Sequence, residues 1–363
     1  MLSFAPQHLV HSSPSISQSV PALPASSVAL FGHLPHSSIL HLALNHLRFQ
    51  DAQPDLTPAL SEKARGKQRA KDDEADEDDE FAFPRRKTDS TGRVLVLTPD
   101  AGVFRDELIK EGDVSLFGAR RDAETARLLD LVDIRELPTS SHFTYFCNTC
   151  YPASSPFAGE AYAAYLAEVG PNAPLDPSYL PHEPTMVILH ALSDYLEEEQ
   201  YKQGGLESYA SLLALFLSTF SSLSEHTRPL LILHDALASR YTLPILPAHL
   251  TSTSKKRPRA GDAGGGQEEE DEEGEDDRNR LSLRRIAERF FDWVGEAHEV
   301  FIDDHTHNAA TTRHFVLSLN VARRFHATLT PAERKAEVGW TVSEVGEDDP
   351  DGEEGGVRIE LVA

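Results

Sequence analysis

The sequence predicts an α/β fold: a mostly parallel sheet with helices on both faces and an antiparallel edge. Three observations predict it. Four runs are almost wholly apolar over five or six residues, as strands buried on both faces must be, namely 28–32, 93–98, 185–190 and 230–234. Segments with helical spacing separate these runs, which is the alternation that a parallel sheet needs for its crossovers. The closing segments are short strand-like runs separated by a Gly- and acid-rich stretch, which suits an antiparallel addition at one edge.

The elements follow in order. Ser27 to Gly32 is a short apolar run that ends in Gly, and reads as the first strand. Behind it Ile39, Leu40, Ala43, Leu44 and Leu47 fall on one face of a helix that reaches Phe49. Asp51 to Thr91 is charged and poor in apolar residues, so a disordered insertion is expected. Arg93 to Thr98 is the second strand, stopped by Pro99. Thr125 to Val132 reads as helix, Val132 to Leu137 as a short strand and Ser140 to Cys150 as helix. Tyr151 to Glu183 is rich in Pro, Gly and Ala and reads as a long loop with a helix at Gly159 to Val169. Thr185 to His190 is the third strong strand, Leu206 to Leu223 an apolar helix and Leu230 to His234 the fourth strand. Thr251 to Asn279 is a low-complexity insertion. Leu281 to Val294 reads as one amphipathic helix, and Phe315 to Asn320, Val338 to Val345 and Val357 to Val362 as the closing strands. The expected organisation is an arm over 1–26, a core over 27–345 with insertions at 51–91 and 251–280, and an acidic loop with a last strand over 346–363.

Composition narrows the classes. The formal net charge is −25 over 363 residues, but three tracts, Asp72 to Glu80, Glu268 to Asp277 and Glu347 to Glu354, hold 23 acids between them. The rest of the chain is near neutral, so the acidity describes solvated spacers or docking tails for basic partners and says little of the folded surface. Two cysteines give no disulfide framework. No apolar run approaches a membrane span, and Met1 to Ser27 lacks a basic start and is broken by four prolines. A soluble intracellular protein without a membrane association is the expectation.

The strand–loop–helix over 28–49 has the layout of a phosphate-binding loop, in which backbone N–H groups cradle phosphates, a Lys neutralises charge and a Ser or Thr holds Mg²⁺. The loop reads Gly32-His-Leu-Pro-His-Ser37-Ser38-Ile39. Gly32 stands where the first motif Gly belongs, Ser37 replaces the second Gly, Ser38 the Lys and Ile39 the Ser or Thr. The third strand should end in an Asp that reaches the metal. It ends in His190, and a neutral imidazole is a poor ligand for hard Mg²⁺. Two separate positions thus lack their polar groups while the apolar framework is kept. Neither ATP turnover, a cofactor nor a metal is expected.

With these segments in this order, the chain resembles the RecA-like, ATPase-related partners of SWIM-domain recombination proteins, the small subunits of Shu-type complexes. The matching stretches are Val28-Ala-Leu-Phe-Gly32, Val94-Leu-Val-Leu-Thr98, Val132-Asp-Ile-Arg-Glu-Leu-Pro138 before a helix, and above all Pro184-Thr-Met-Val-Ile-Leu-His-Ala-Leu-Ser-Asp-Tyr-Leu196. In the last, Leu192, Asp194, Tyr195 and Leu196 agree with the family pattern and His190 departs from its Asp. The closing hairpin with Trp340 also fits. The resemblance covers about 60% of the chain and rests on degenerate motifs. It implies a RecA-like fold and a role in homologous recombination. The implied partners are a SWIM-domain protein and RecA-family recombinases or their paralogues, with single-stranded DNA as a further candidate. A RecA-like ring subunit of the Elongator type, serving tRNA modification, and an ATPase with unusual ligands are the alternatives.

Other patterns carry weaker signals. Cys147-Asn-Thr-Cys150 has the spacing of a zinc or redox pair, with only scattered histidines such as His142 or His182 as further ligands, and Asp303, Asp304, His305 and His307 are a polar cluster that a loop explains as well. Lys255, Lys256, Arg257 and Arg259 form a compact basic run suited to a nuclear import receptor, so nuclear localisation is expected; Lys63 to Lys71 is a second basic run. The resemblance implies that the loop holding 251–279 faces DNA, where its basic start would attract phosphates and its acidic remainder would oppose them. Phe290, Phe291 and Trp293 crowd one end of the expected helix. Neighbouring helical positions diverge by about 100°, so at least one of the three is expected to serve as an interface anchor.

Overall fold

The computed structural model describes residues 3–4, 23–24, 26–32, 34–52, 92–118, 121–153, 155, 158–170, 176–197, 199–223, 228–236, 238, 242–244, 280–300, 312–321, 335–345 and 356–362. Nine strands form one sheet: β1 Ser27–Gly32, β2 Arg93–Thr98, β3 Val132–Glu136, β4 Pro184–His190, β5 Leu230–Asp235, β6 Trp293–Val300, β7 Thr312–Val321, β8 Lys335–Val345 and β9 Gly356–Val362. Their order is β3-β2-β4-β5-β1-β6-β7-β8-β9. The six strands from β3 to β6 are mutually parallel, and β7, β8 and β9 extend the sheet in antiparallel fashion.

Alternation along the central strands supplies two cores. Val28, Leu30, Val94, Val96, Ile188 and Ile232 face one way, against helix α1 Ser37–Ala52 and helix α2 Ala101–Glu111. The helical turns α3 Val114–Phe117 and α4 Ala123–Leu129 add Leu116 and Leu128 to this side. Ala29, Phe31, Leu95, Leu97, Val187, Leu189, Leu231 and Leu233 face the other way. They meet helix α5 Ser140–Thr149 through Phe143 and Phe146, and helix α7 Glu199–Ser221 through Leu213, Phe216 and Phe220. Helix α6 Ala158–Val169 buries only Ala158 and lies on the surface. Strands buried on both faces cannot show the period-two polarity of a half-exposed sheet, which is why the runs read as continuous apolar stretches. Helix α2 has a defined start: Asp100 accepts from the Val103 N–H at 2.8 Å, as a helix N-cap should.

Leu281 to Val294 is not one helix. Helix α8 covers Leu283–Phe290, the Phe291 N–H closes it on the Ala287 carbonyl, and β6 begins at Trp293. The cause lies in Asp292. Its carboxylate accepts from the N–H groups of Ser26 and Ser27 at 3.0 and 3.1 Å, and its own N–H donates to the Ser27 carbonyl, so the chain is pinned parallel to β1. Phe291 and Trp293, expected as interface anchors, are therefore core residues at 0% and 2% exposure. Phe290 is partly buried against the same core as Phe291. Helix α2, not expected, occupies 101–111.

Residues 53–91 and 251–279 of the two insertions, the acidic tracts, the basic runs at 63–71 and 255–259, and the cluster at 303–307 lie outside the described residues. A two-stranded pairing of Thr242–Pro244 with Arg280–Ser282 brackets the second insertion, and holds its two ends together.

Candidate ligand-binding crevice

In open parallel sheets, ligands bind beyond the carboxyl ends of the strands, where neighbouring strands send their connections to opposite faces. Here that place lies between β1, whose chain leaves into α1 on one face, and β4 and β5, which lead to α7 and α8 on the other.

Gly32 ends β1 at φ +84°, and a Cβ there would stand 2.2 Å from the Ala297 carbonyl oxygen of β6. Its glycine is thus required by the neighbouring strand, whatever the loop binds. The loop then turns into α1. The first N–H groups of that helix point where a phosphate would sit in a phosphate-binding loop. Here a side chain of the protein occupies them. The Glu111 carboxylate, at the end of α2, accepts from the His36 N–H at 2.5 Å and the Ser37 N–H at 2.8 Å, and His36 Nδ1 lies 3.2 Å from it. Ser37 and Ser38 are buried, and their hydroxyls have no partner among the described residues.

Rings cluster at the strand ends beside this loop. His190, at the end of β4, packs edge-on against Phe104 of α2 and against His36, with centroids 5.0 and 5.4 Å apart. It also stacks on His234 of β5 at 5.3 Å, and Thr98 Oγ1 at the end of β2 is 3.1 Å from His190 Nδ1. Burial, with the nearby His234 and His36 rings adding, holds His190 well below the usual histidine range. Burial pushes His234 down to about 3, and neither of its ring nitrogens has a partner among the described residues. These two imidazoles are neutral at ordinary pH and supply no positive charge to a phosphate.

Asp235 is an acid that the sequence pattern did not single out. It closes β5, next to β1, and is fully buried. Its carboxylate accepts from the Ser193 N–H at 2.9 Å, the Ser193 hydroxyl at 2.6 Å and the Ala238 N–H at 3.2 Å. Burial pushes it up to about 6 against those bonds. The available signal was an acid closing an apolar run, Leu230 to Asp235. Between His190 and Ser193, Ala191 takes a left-handed backbone, φ +54°, held by its N–H bond to the His234 carbonyl. A non-glycine residue in that region marks local strain.

The architecture is six parallel strands with helices on both faces and an antiparallel extension past β6. No protein-family model matches the chain, and no curated protein does. Among solved structures, the chain is similar to one described as an ATPase domain, at 10% identity and a TM-score of 0.36, over 87% of this chain and 80% of that one.

The parallel sheet brings Gly32, Ser37, Ser38 and His190 together at one crevice. Asp194 is not among them: it is exposed on the short 3-10 helix Leu192–Glu197. Of its neighbours on that segment, Leu192, Tyr195 and Leu196 are core, and Tyr195 donates to the Leu137 carbonyl at 2.6 Å. Cys147 and Cys150 are free thiols at the end of α5. Burial pushes both up, Cys150 to about 11, so neither is poised as a thiolate. Among the described residues no group of three or more His, Cys, Asp and Glu could hold a metal ion.

Proposed function

We propose that this RecA-like chain is a non-catalytic subunit that acts by binding partners. One observation carries the reading: the chain's own side chains fill the crevice at the ends of β1, β4 and β5. Glu111 sits on the first N–H groups of α1, and the rings of His36, Phe104, His190 and His234 occupy the space beyond. A bound nucleotide phosphate would have to displace a carboxylate, without help from a lysine among the described residues or from a charged His190 or His234. Desolvating phosphate against neutral rings is unfavourable, so an ATPase with unusual ligands is the weaker reading.

The sequence resemblance supplies the finer assignment, a Shu-type accessory role in homologous recombination. The partners would be a SWIM-domain protein and RecA-family recombinases or their paralogues, with single-stranded DNA as a further ligand. The basic run Lys255, Lys256, Arg257 and Arg259 would direct the chain to the nucleus. Affinity purification of the tagged full chain with mass spectrometry tests the assignment. Recovery of a SWIM-domain protein and recombinase paralogues is expected, with loss of nuclear signal when those four basic residues become Ala. Recovery of Elongator subunits instead would replace it.

A further inference from the structure

Resting on that reading, we propose that Glu111 is a built-in anion that keeps a phosphate-class oxyanion site at the start of α1 closed. Removing its carboxylate opens the site to a free oxyanion. Three observations on different groups converge there. The seat is already an anion seat, because two successive backbone N–H groups, of His36 and Ser37, donate to the two oxygens of one carboxylate. The hydroxyls of Ser37 and Ser38, at 0% and 1% exposure in the same turn, have no partner among the described residues, and so remain as donors for a group with more oxygens than a carboxylate. The occupant comes from elsewhere in the fold: Glu111 ends α2, 75 residues from His36, so the contact ties two helices together across the crevice mouth. Its side chain and that of His36 keep 22% and 26% of their exposure, which leaves solvent a route to the seat.

A helix N-terminus favours negative charge whether the charge is covalently attached or free. An attached carboxylate competes at a high effective concentration, so a free oxyanion loses while Glu111 is present. Glu107, one turn earlier on α2, pairs with Lys110 at the surface and provides a matched control.

Thermal unfolding of the full chain with and without sodium pyrophosphate tests the proposal in wild type, Glu111→Ala, Glu111→Gln and Glu107→Ala. The Ala variant at 111 is expected to melt about 4 °C below wild type, for the loss of charge-assisted bonds in a domain of this size. Pyrophosphate should restore it, while wild type and Glu107→Ala should not respond. A folded Glu111→Ala or Glu111→Gln that ignores pyrophosphate overturns the proposal, as does a wild type that responds equally. If neither variant folds, amide exchange in wild type decides. The His36 and Ser37 amides should exchange at least about tenfold slower than in an open chain, and free exchange would overturn the contact itself. Silence of the 111 variants leaves the non-catalytic reading standing; nucleotide turnover by wild type would sink that reading whatever the variants do.

Discussion

The middle of the sheet and the carboxyl ends of its strands obey different rules. Between Val28 and Phe31, Val94 and Leu97, Val187 and Leu189, and Leu230 and Leu233, every side chain is apolar and buried, and the parallel ladder pairs the backbone. One or two residues further on, the same strands deliver Gly32, Thr98, His190, His234 and Asp235. That layer contains a left-handed Ala191, imidazoles held neutral, a carboxyl raised by burial, and hydroxyls and ring nitrogens without partners among the described residues. These polar groups sit at the carboxyl ends of the strands, where open parallel sheets bind ligands. In this chain Glu111 bonds the start of α1 and the His36, His190 and His234 rings pack on one another in that layer. Packing constrains every residue of these strands, whereas a ligand would constrain only the residues that touch it.

Breaking the framework should cost most. Phe291→Ala or Trp293→Ala removes a large side chain from the core and is expected to lower stability by about 3–5 kcal/mol, measured by denaturant unfolding followed by circular dichroism. Fully folded variants of near wild-type stability would return these residues to the surface role first expected of them. Gly32→Val combines a positive φ with a clash against the Ala297 carbonyl, and should cost about 2 kcal/mol or more. A neutral outcome would mean that β6 does not lie against β1 as described.

The crevice should respond in the opposite sense. His234 is buried with neither nitrogen partnered among the described residues, so His234→Phe should stabilise the chain by about 1 kcal/mol at pH 7. It should also flatten the acid side of the stability profile. The folded pKa of about 3 lies below the ordinary value of 6.5, so the unfolded chain binds the extra proton and stability falls as pH drops from 6.5 towards 3. His190, also depressed, keeps part of that slope in the variant. Asp235 acts in the other direction. With a folded value of about 6 against 3.8, its contribution is fully present below 3.8 and is lost as pH rises through 6. Unfolding curves across the acid and neutral range should show the acid limb shrink in His234→Phe; an unchanged limb would mean that His234 is hydrated and titrates normally.

Much of the fold could be read from the sequence, and the reasons are local. Strands β1, β2, β4 and β5 announce themselves as apolar runs because both of their faces are covered. Strand β6 did not. Trp293 to Val300 mixes Gly295, Glu296 and His298 with apolar residues, and it follows a helix that ends where Asp292 is captured by Ser26 and Ser27, 266 and 265 residues earlier. A local pattern holds no trace of that pairing. The crevice was half legible. Gly32, Ser37, Ser38 and His190 lie next to recognisable strands. Glu111 and Phe104 belong to a helix whose place opposite α1 depends on the tertiary fold, and Asp235 was hidden in an ordinary strand ending.

A calorimetric titration of the full-length chain with MgATP, paired with a phosphate-release assay, tests the central claim most directly. A crevice filled by Glu111 and the His36, Phe104, His190 and His234 rings predicts no saturable binding and no turnover. Saturable binding with Mg²⁺-dependent phosphate release would contradict it, and would mean that these side chains move aside to form a working site.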